Sequence, residues 1–422
     1  MKTNSRVCRR RREASVELIL LSLLALARES KAQSVLIPAP SIPVTPPAMQ
    51  EFQTNEISYL PSPDENEISR MKPLLQLGPV QLRPHLFYSA VYGNGIQSGP
   101  GEQHTTLVQQ FSPGILFEIG SHWTLDYTPT WSFYSDSHFR DTLDHNVQLT
   151  AGTTYEDWIF GFSQNYLATS APLVETGTQT DRESFGTALT ASYRFNSKIS
   201  TDLAVNQTVV STEDFTSYRE WSTLDWLNYQ FWPRLNVAVG GGFGFVDEDA
   251  GADSSYEQLQ GRINWRATDK VSLQLHAGFE DRQFLDGGAE DLINPIFGVS
   301  IRYEPVSTTL LSLTAERTVT PAYFQNQVQE STTVSASLEQ RLFEKFHLGL
   351  GGGYTRASYS SSAASASSRA ANDYYFFSAR LGYSVLQRGS VALTYQFNEN
   401  SSGEPGYSFS SNQIGVELGY QF

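Results

Sequence analysis

In Gln413-Ile414-Gly415-Val416-Glu417-Leu418-Gly419-Tyr420-Gln421-Phe422 every second side chain is apolar: Ile414, Val416, Leu418, Tyr420 and Phe422. The residues between them are small or polar. A period of two puts the apolar set on one face of a β-strand. Its length matches a tilted strand crossing a bilayer, which takes roughly 9 to 11 residues. A strand of this kind cannot stand alone in hydrocarbon, because each unpaired backbone amide there costs several kcal/mol. The stretch therefore predicts a closed, antiparallel, all-β, up-and-down transmembrane barrel.

Working back along the chain, the same alternation recurs from Val80 onward. Trp123 to Tyr127, Asn146 to Ala151, Phe185 to Tyr193, Val271 to Phe279, Tyr375 to Tyr383 and Val391 to Phe397 each alternate in this way. The connections are of two kinds in alternation. Short turns fall near Gly120-Ser121-His122, Glu156-Asp157, Asn196-Ser197, Trp232-Pro233, Thr268-Asp269, Pro305-Val306, Phe343-Glu344 and Gln387-Arg388-Gly389. Long polar connections are expected at 94–103, 135–144, 171–183, 247–255, 286–291, 358–373 and 398–408. Short periplasmic turns and long extracellular loops are the known asymmetry of outer-membrane barrels. The count is about eighteen strands with both termini periplasmic, falling to sixteen if the segments around Glu220 to Gln230 and from Trp158 are misread. The first strand, near Leu82 to Tyr92, is expected to pair with the last.

Three segments organise the chain. Residues 1–32 read as a secretory signal peptide: basic residues Lys2, Arg6 and Arg9 to Arg12, an apolar run from Val16 to Ala27, then Ser30-Lys31-Ala32. The apolar run is too short for a spanning helix, which needs ~20 residues. Residues 33–78, with Pro38, Pro40, Pro43, Pro46, Pro47, Pro61 and Pro63, read as a Pro-rich periplasmic linker, disordered in part. Residues 79–422 are the barrel. The single cysteine, Cys8, lies in the leader, so thiolate metal sites are excluded from the exported chain. The formal net charge is −15, which becomes roughly −20 once the leader is removed and argues against nucleic acid as a partner.

On the polar phase of the strands lie Arg83, His85, Asp126, Arg194, Asp202, Arg262, Arg266, Glu280, Arg302, Glu316, Glu339, Arg341, Arg380 and Glu417. These are the candidate pore-lining residues. Charge at the lipid midplane costs about 2 to 4 kcal/mol, so their phase supports the strand assignment. Mixed charge in a wet lumen suits passage of polar solutes, and it equally suits pairing across the wall. A barrel of 16 to 18 strands leaves an aqueous channel, where an eight-stranded one fills with side chains.

Catalytic, cofactor and metal sites are not expected. The loop carrying Asp136, His138, Asp141, Asp144 and His145 places acids beside imidazoles, but without a nucleophile elbow or an HExxH motif it reads as a solvated acidic loop. Asp247-Glu248-Asp249 with Asp253 lacks the glycine and spacing of a tight calcium site.

The leader, the Pro-rich lead-in, the opening strand Leu82-Arg83-Pro84-His85-Leu86-Phe87-Tyr88, the repeats Ser192-Tyr193-Arg194-Phe195 and Leu381-Gly382-Tyr383, and the closing Gly419-Tyr420-Gln421-Phe422 together resemble the β-barrel porin families of Gram-negative outer membranes. The resemblance covers about residues 79 to 422. It implies a Gram-negative outer-membrane location and porin-like passage of hydrophilic solutes. It also implies a C-terminal signal, Tyr420 with Phe422, read by the barrel-assembly machinery. Some of these families are associated with exopolysaccharide export, so an accessory barrel for polysaccharide secretion is the alternative; a non-conducting structural or adhesion barrel is a third. Outer-membrane lipid is the expected surround, polysaccharide or small polar solutes the expected cargo, and a homo-oligomer stays open because trimers are common among such porins.

Overall fold

The computed structural model describes residues 75–422 except 286, 287, 344, 365, 386 and 387. The expected leader and all but the end of the Pro-rich linker lie outside the described residues. A short strand, β1 (Leu75–Leu77), folds back on the start of β2 (Val80–Gly99). There follow β3 (Glu102–Ile119), β4 (Trp123–Tyr134), β5 (Thr142–Tyr155), β6 (Trp158–Thr169), β7 (Arg182–Arg194) and β8 (Ile199–Thr212). Next come β9 (Tyr218–Trp232), β10 (Leu235–Glu248), β11 (Ser254–Arg266), β12 (Val271–Phe284), β13 (Leu292–Val306) and β14 (Thr309–Pro321). The chain ends in β15 (Gln327–Leu342), β16 (Phe346–Ser361), β17 (Asn372–Val385), β18 (Gly389–Ser402) and β19 (Phe409–Gln421). No helix occurs among the described residues.

Each strand from β2 to β19 pairs antiparallel with its sequence neighbours, and β19 pairs with β2 through Ile414↔Tyr92 and Tyr420↔Leu86. The last amide, Phe422 N–H, donates to Pro84 O at 2.9 Å. The wall is thus an eighteen-stranded closed barrel, which leaves no edge to desolvate. Large apolar side chains such as Leu189, Leu227, Val239, Leu259, Leu393 and Ile414 are exposed on its outer face, as a lipid-facing wall requires.

The strands overrun the expected loops. β2 continues to Gly99 and β3 begins at Glu102, so the connection read at 94–103 is a tight turn at Pro100-Gly101; β16 and β18 likewise run to Ser361 and Ser402. The reason is height: above the hydrocarbon both faces of a strand can be polar, and the alternation fades while the ladder continues. The ambiguous strand at 220–230 is also resolved. Trp226 points inward, buried, and Asp225 takes the outward phase opposite Gly241, accepting a hydrogen bond from Ala204 N–H at 3.2 Å.

Inside, bulky side chains are accommodated by glycines on the next strand. A Cβ added at Gly244 would lie 2.1 Å from the ring of Tyr256, and one at Gly240 would lie 2.6 Å from the ring of Trp226. Gly240 and Gly242 in β10 are therefore packing features, since a Cβ at Gly242 would lie 2.6 Å from Thr223 O.

Candidate functional site

The register places the charged residues of the polar phase on the inner face, and most of them meet a partner. Arg83 donates to Glu118 at 3.1 Å, and His85 bonds the Thr128 hydroxyl at 3.0 Å with Asp126 at 4.0 Å. Asp202 accepts from Arg262 at 2.8 Å, and that guanidinium also reaches Asn228 and stacks 4.3 Å above Trp226. Arg380 donates to Glu417 at 2.9 Å. Arg194 and Arg266 end their strands at the short-turn rim and are exposed there. Arg302, Glu339, Arg341, Arg380 and Glu417 line a cavity of about 890 Å³ that runs from the turn at Ser307-Thr308 up the wall of β13 to β19. Glu316, on the inner phase opposite Gly298 and Thr333, faces open space on β14.

Glu280 departs from the expected pattern. It is 2% exposed and held by Arg282 at 2.9 Å, so it lines no open lumen. The reason is that the inner face toward the long-loop rim is packed with protein. Arg282, on the same inner phase and not among the residues expected from the sequence, is itself 1% exposed and lies 4.7 Å from the Tyr256 ring.

Three loops meet at that end. The loop between β6 and β7 has a paired neck, Pro172↔Gln179, and Leu173 N–H donates to Thr178 O at 3.1 Å. Its tip carries Leu173, Val174, Glu175 and Thr176, all buried. Val174 joins Ala322, Ala357, Tyr359, Tyr374 and Phe409 in one apolar cluster, so the tip packs on the inner faces of β16, β17 and β19. The loop between β14 and β15 crosses to meet it. Tyr323 N–H donates to the Glu175 carboxylate at 3.2 Å, its backbone oxygen accepts from Thr216 N–H, and its hydroxyl accepts from Arg182 at 2.6 Å. Arg369, from the loop after β16, lies 3.7 Å over Phe324 and 4.5 Å over Tyr407. The signal in the sequence was the short apolar run Leu173-Val174 inside an otherwise polar loop.

Burial pushes the Glu175 carboxyl up to about 7, against the opposing pull of the Tyr323 amide and the Arg369 charge. A buried acid with one backbone donor and no ion pair is a poor anchor once it ionises. The loop is therefore held chiefly by Val174 and its apolar neighbours.

The acid and imidazole loop after β4 is also reorganised. Asp141 accepts from Tyr134 N–H at 2.9 Å, Asp144 accepts from Ser170 N–H at 3.1 Å, and His145 pairs with Tyr127 at 3.0 Å. These three go separate ways. Asp136 and His138 stay together and are joined by His104 from β3. The His138 amide donates to Asp136 at 2.9 Å and holds its carboxyl below the usual range.

Residues 247–422 match the family model described as Putative beta-barrel porin 2. No curated protein matches the sequence. Among solved structures, OccAB4 of Acinetobacter baumannii aligns with 81% of this chain and 98% of its own at 13% identity, with a TM-score of 0.43. OccK2 (OpdF) of Pseudomonas aeruginosa aligns over the same shares at 11% identity and a TM-score of 0.45. The siderophore receptor PirA of Pseudomonas aeruginosa aligns with 83% of this chain and 81% of its own at 10% identity and a TM-score of 0.42. The chain is a closed β-barrel of eighteen strands, and its residues 247–422 are similar to the family described as Putative beta-barrel porin 2.

Proposed function

We propose that the barrel passes small hydrophilic solutes, as a conduit and not as an enzyme, and that loop 170–181 is the obstruction that moves to let them through. The observation that carries this reading is the contrast between the two ends of the lumen. One end is a water-accessible vestibule lined by charges of both signs, such as Arg302, Glu339, Arg341 and Glu417. At the other end a loop folds inward, its tip buried in a small apolar cluster beside a buried carboxyl. A wall of eighteen strands encloses enough room for an aqueous path once that loop withdraws.

The test is single-channel recording of the folded protein in a planar bilayer, beside a variant in which residues 173–178 are replaced by a short Gly-Ser turn closing the paired neck at Pro172 and Gln179. The variant is expected to conduct steadily, and the parent to conduct less or intermittently. Silence in both, from protein whose gel mobility shifts on heating, refutes the reading and leaves an adhesive or structural barrel.

A further inference from the structure

The structure brings together a donor set that the proposed conduit does not use. His104 lies near the start of β3 on its inner phase, paired opposite Ile96 at the long-loop rim. Asp136 and His138 lie in the loop that follows β4. One ligand atom from each of the three falls within 4.8 Å of the others. Both imidazoles turn their Nδ1 atoms to the same carboxylate. His138 Nδ1 is 2.6 Å from Asp136 Oδ1, and His104 Nδ1 is 3.6 Å from Asp136 Oδ2. The two rings stack at 4.0 Å between centroids with 20° between planes.

This placement is built and does not come from chance proximity of mobile side chains. The Ser135 hydroxyl accepts from Leu107 N–H at 2.8 Å, and Asp136 N–H donates to the Thr106 hydroxyl at 3.3 Å. These bonds fasten the loop to β3 two and three residues from His104. Phe139, 5% exposed, packs edge-on to His104 at 5.9 Å and fixes its ring. His104 Nε2 is shielded and has no hydrogen-bond partner, so this ring is not held in place by a bond through its far nitrogen. On the other side His138 is 57% exposed, which leaves room for water or an incoming ligand.

We propose that His104, Asp136 and His138 form a binding site for a divalent transition metal of the zinc class. Two imidazoles and one carboxylate are the donors such ions favour, and an open fourth position taken by water completes a tetrahedron. Donors at metal–nitrogen and metal–oxygen distances near 2.0 to 2.2 Å stand about 3.4 Å apart in a tetrahedron, so the His138–Asp136 contact of 2.6 Å must open while wider gaps close, a shift the exposed His138 can supply. The site is not part of the vestibule, and it stands or falls independently of solute passage.

The position gives the ion a consequence. Its loop brackets the inserted one: Arg140 N–H donates to Gln179 at 2.9 Å, Gln179 donates back to Arg140 O at 3.1 Å, and Arg140 pairs with Asp181. A metal that ties this bracket to β3 holds the neck of the inserted loop in place.

The experiment is calorimetric titration of ZnCl2 into the folded full chain, prepared without a polyhistidine tag, in detergent and a non-chelating buffer near neutral pH. The expected result is one zinc per chain, with affinity falling about tenfold or more in H104A and in H138A and holding in H145A. Each variant is first shown to be folded by its heat-modifiable mobility. Should H104A misfold, H138N serves, since that side chain is largely solvent-exposed. Absence of a one-to-one isotherm, or equal binding by the wild type and by folded H138A or H138N, overturns the proposal.

Discussion

Replacing Glu175 by Gln is expected to make the closure of the barrel independent of pH. The wild-type carboxyl is buried by the docked loop and pushed up to about 7, from a reference of 4.5 that it recovers when the loop withdraws into water. The sign follows from linkage. Docking takes up the proton, so its stabilisation is complete below the reference value and is lost as pH rises through the docked value. Each pH unit across that window removes about 1.4 kcal/mol, and the whole span of about 2.5 units is worth about 3.4 kcal/mol, or about 300-fold in the ratio of docked to withdrawn loop. The assay is single-channel recording at several values between about pH 4.5 and 8. Wild-type openings are expected to become more frequent with rising pH and to level off above 7. In E175Q, whose amide stays neutral and can still accept from Tyr323 N–H, openings are expected to be rare throughout. This comparison isolates the carboxyl from every other titrating group of the rim. Wild-type openings that grow rarer with rising pH, or an E175Q profile that parallels the wild type, would refute the reasoning.

Three further outcomes follow from packing. R282M leaves the buried Glu280 without its ion-pair partner, and is expected to destabilise the barrel by about 3 to 5 kcal/mol in urea unfolding, while adding E280L recovers most of the loss; equal stability of single and double variants would contradict a buried pair. G244V drives a side chain into the Tyr256 ring and should lower stability by about 1 to 3 kcal/mol, with Y256S restoring it; a G244V barrel as resistant to urea as the parent argues against the close packing. V334R, on the outer face near the middle of β15, should cost about 2 to 4 kcal/mol in lipid, whereas S337R on the vestibule wall should cost little; the reverse order would invert the facing of that strand.

What the sequence made legible and what it hid divide along a physical line. Alternation in Gln413 to Phe422 carries its meaning locally, because lipid on one side and water on the other act on every residue pair of a strand. The same force fixes the short turns and the closure of β19 on β2. Above the hydrocarbon that force is absent, which is why the ends of β2, β16 and β18 read as loops. Trp226 and Asp225 show a second limit: the facing of β9 is settled by neighbours, Gly240 making room inside and Ala204 N–H satisfying the carboxylate outside. The features that give the lumen its character depend on longer separations still. Val174 meets Ala322 and Tyr359 only because the closed ring brings remote strands to one rim, whereas Asp136 meets His104 through the pairing of β3 with β4. A polar loop with two apolar residues has no reading until closure supplies the partner, and one histidine among polar neighbours has none until strand pairing does. In this chain the membrane dictates the wall, and the wall in turn selects which loop residues become functional.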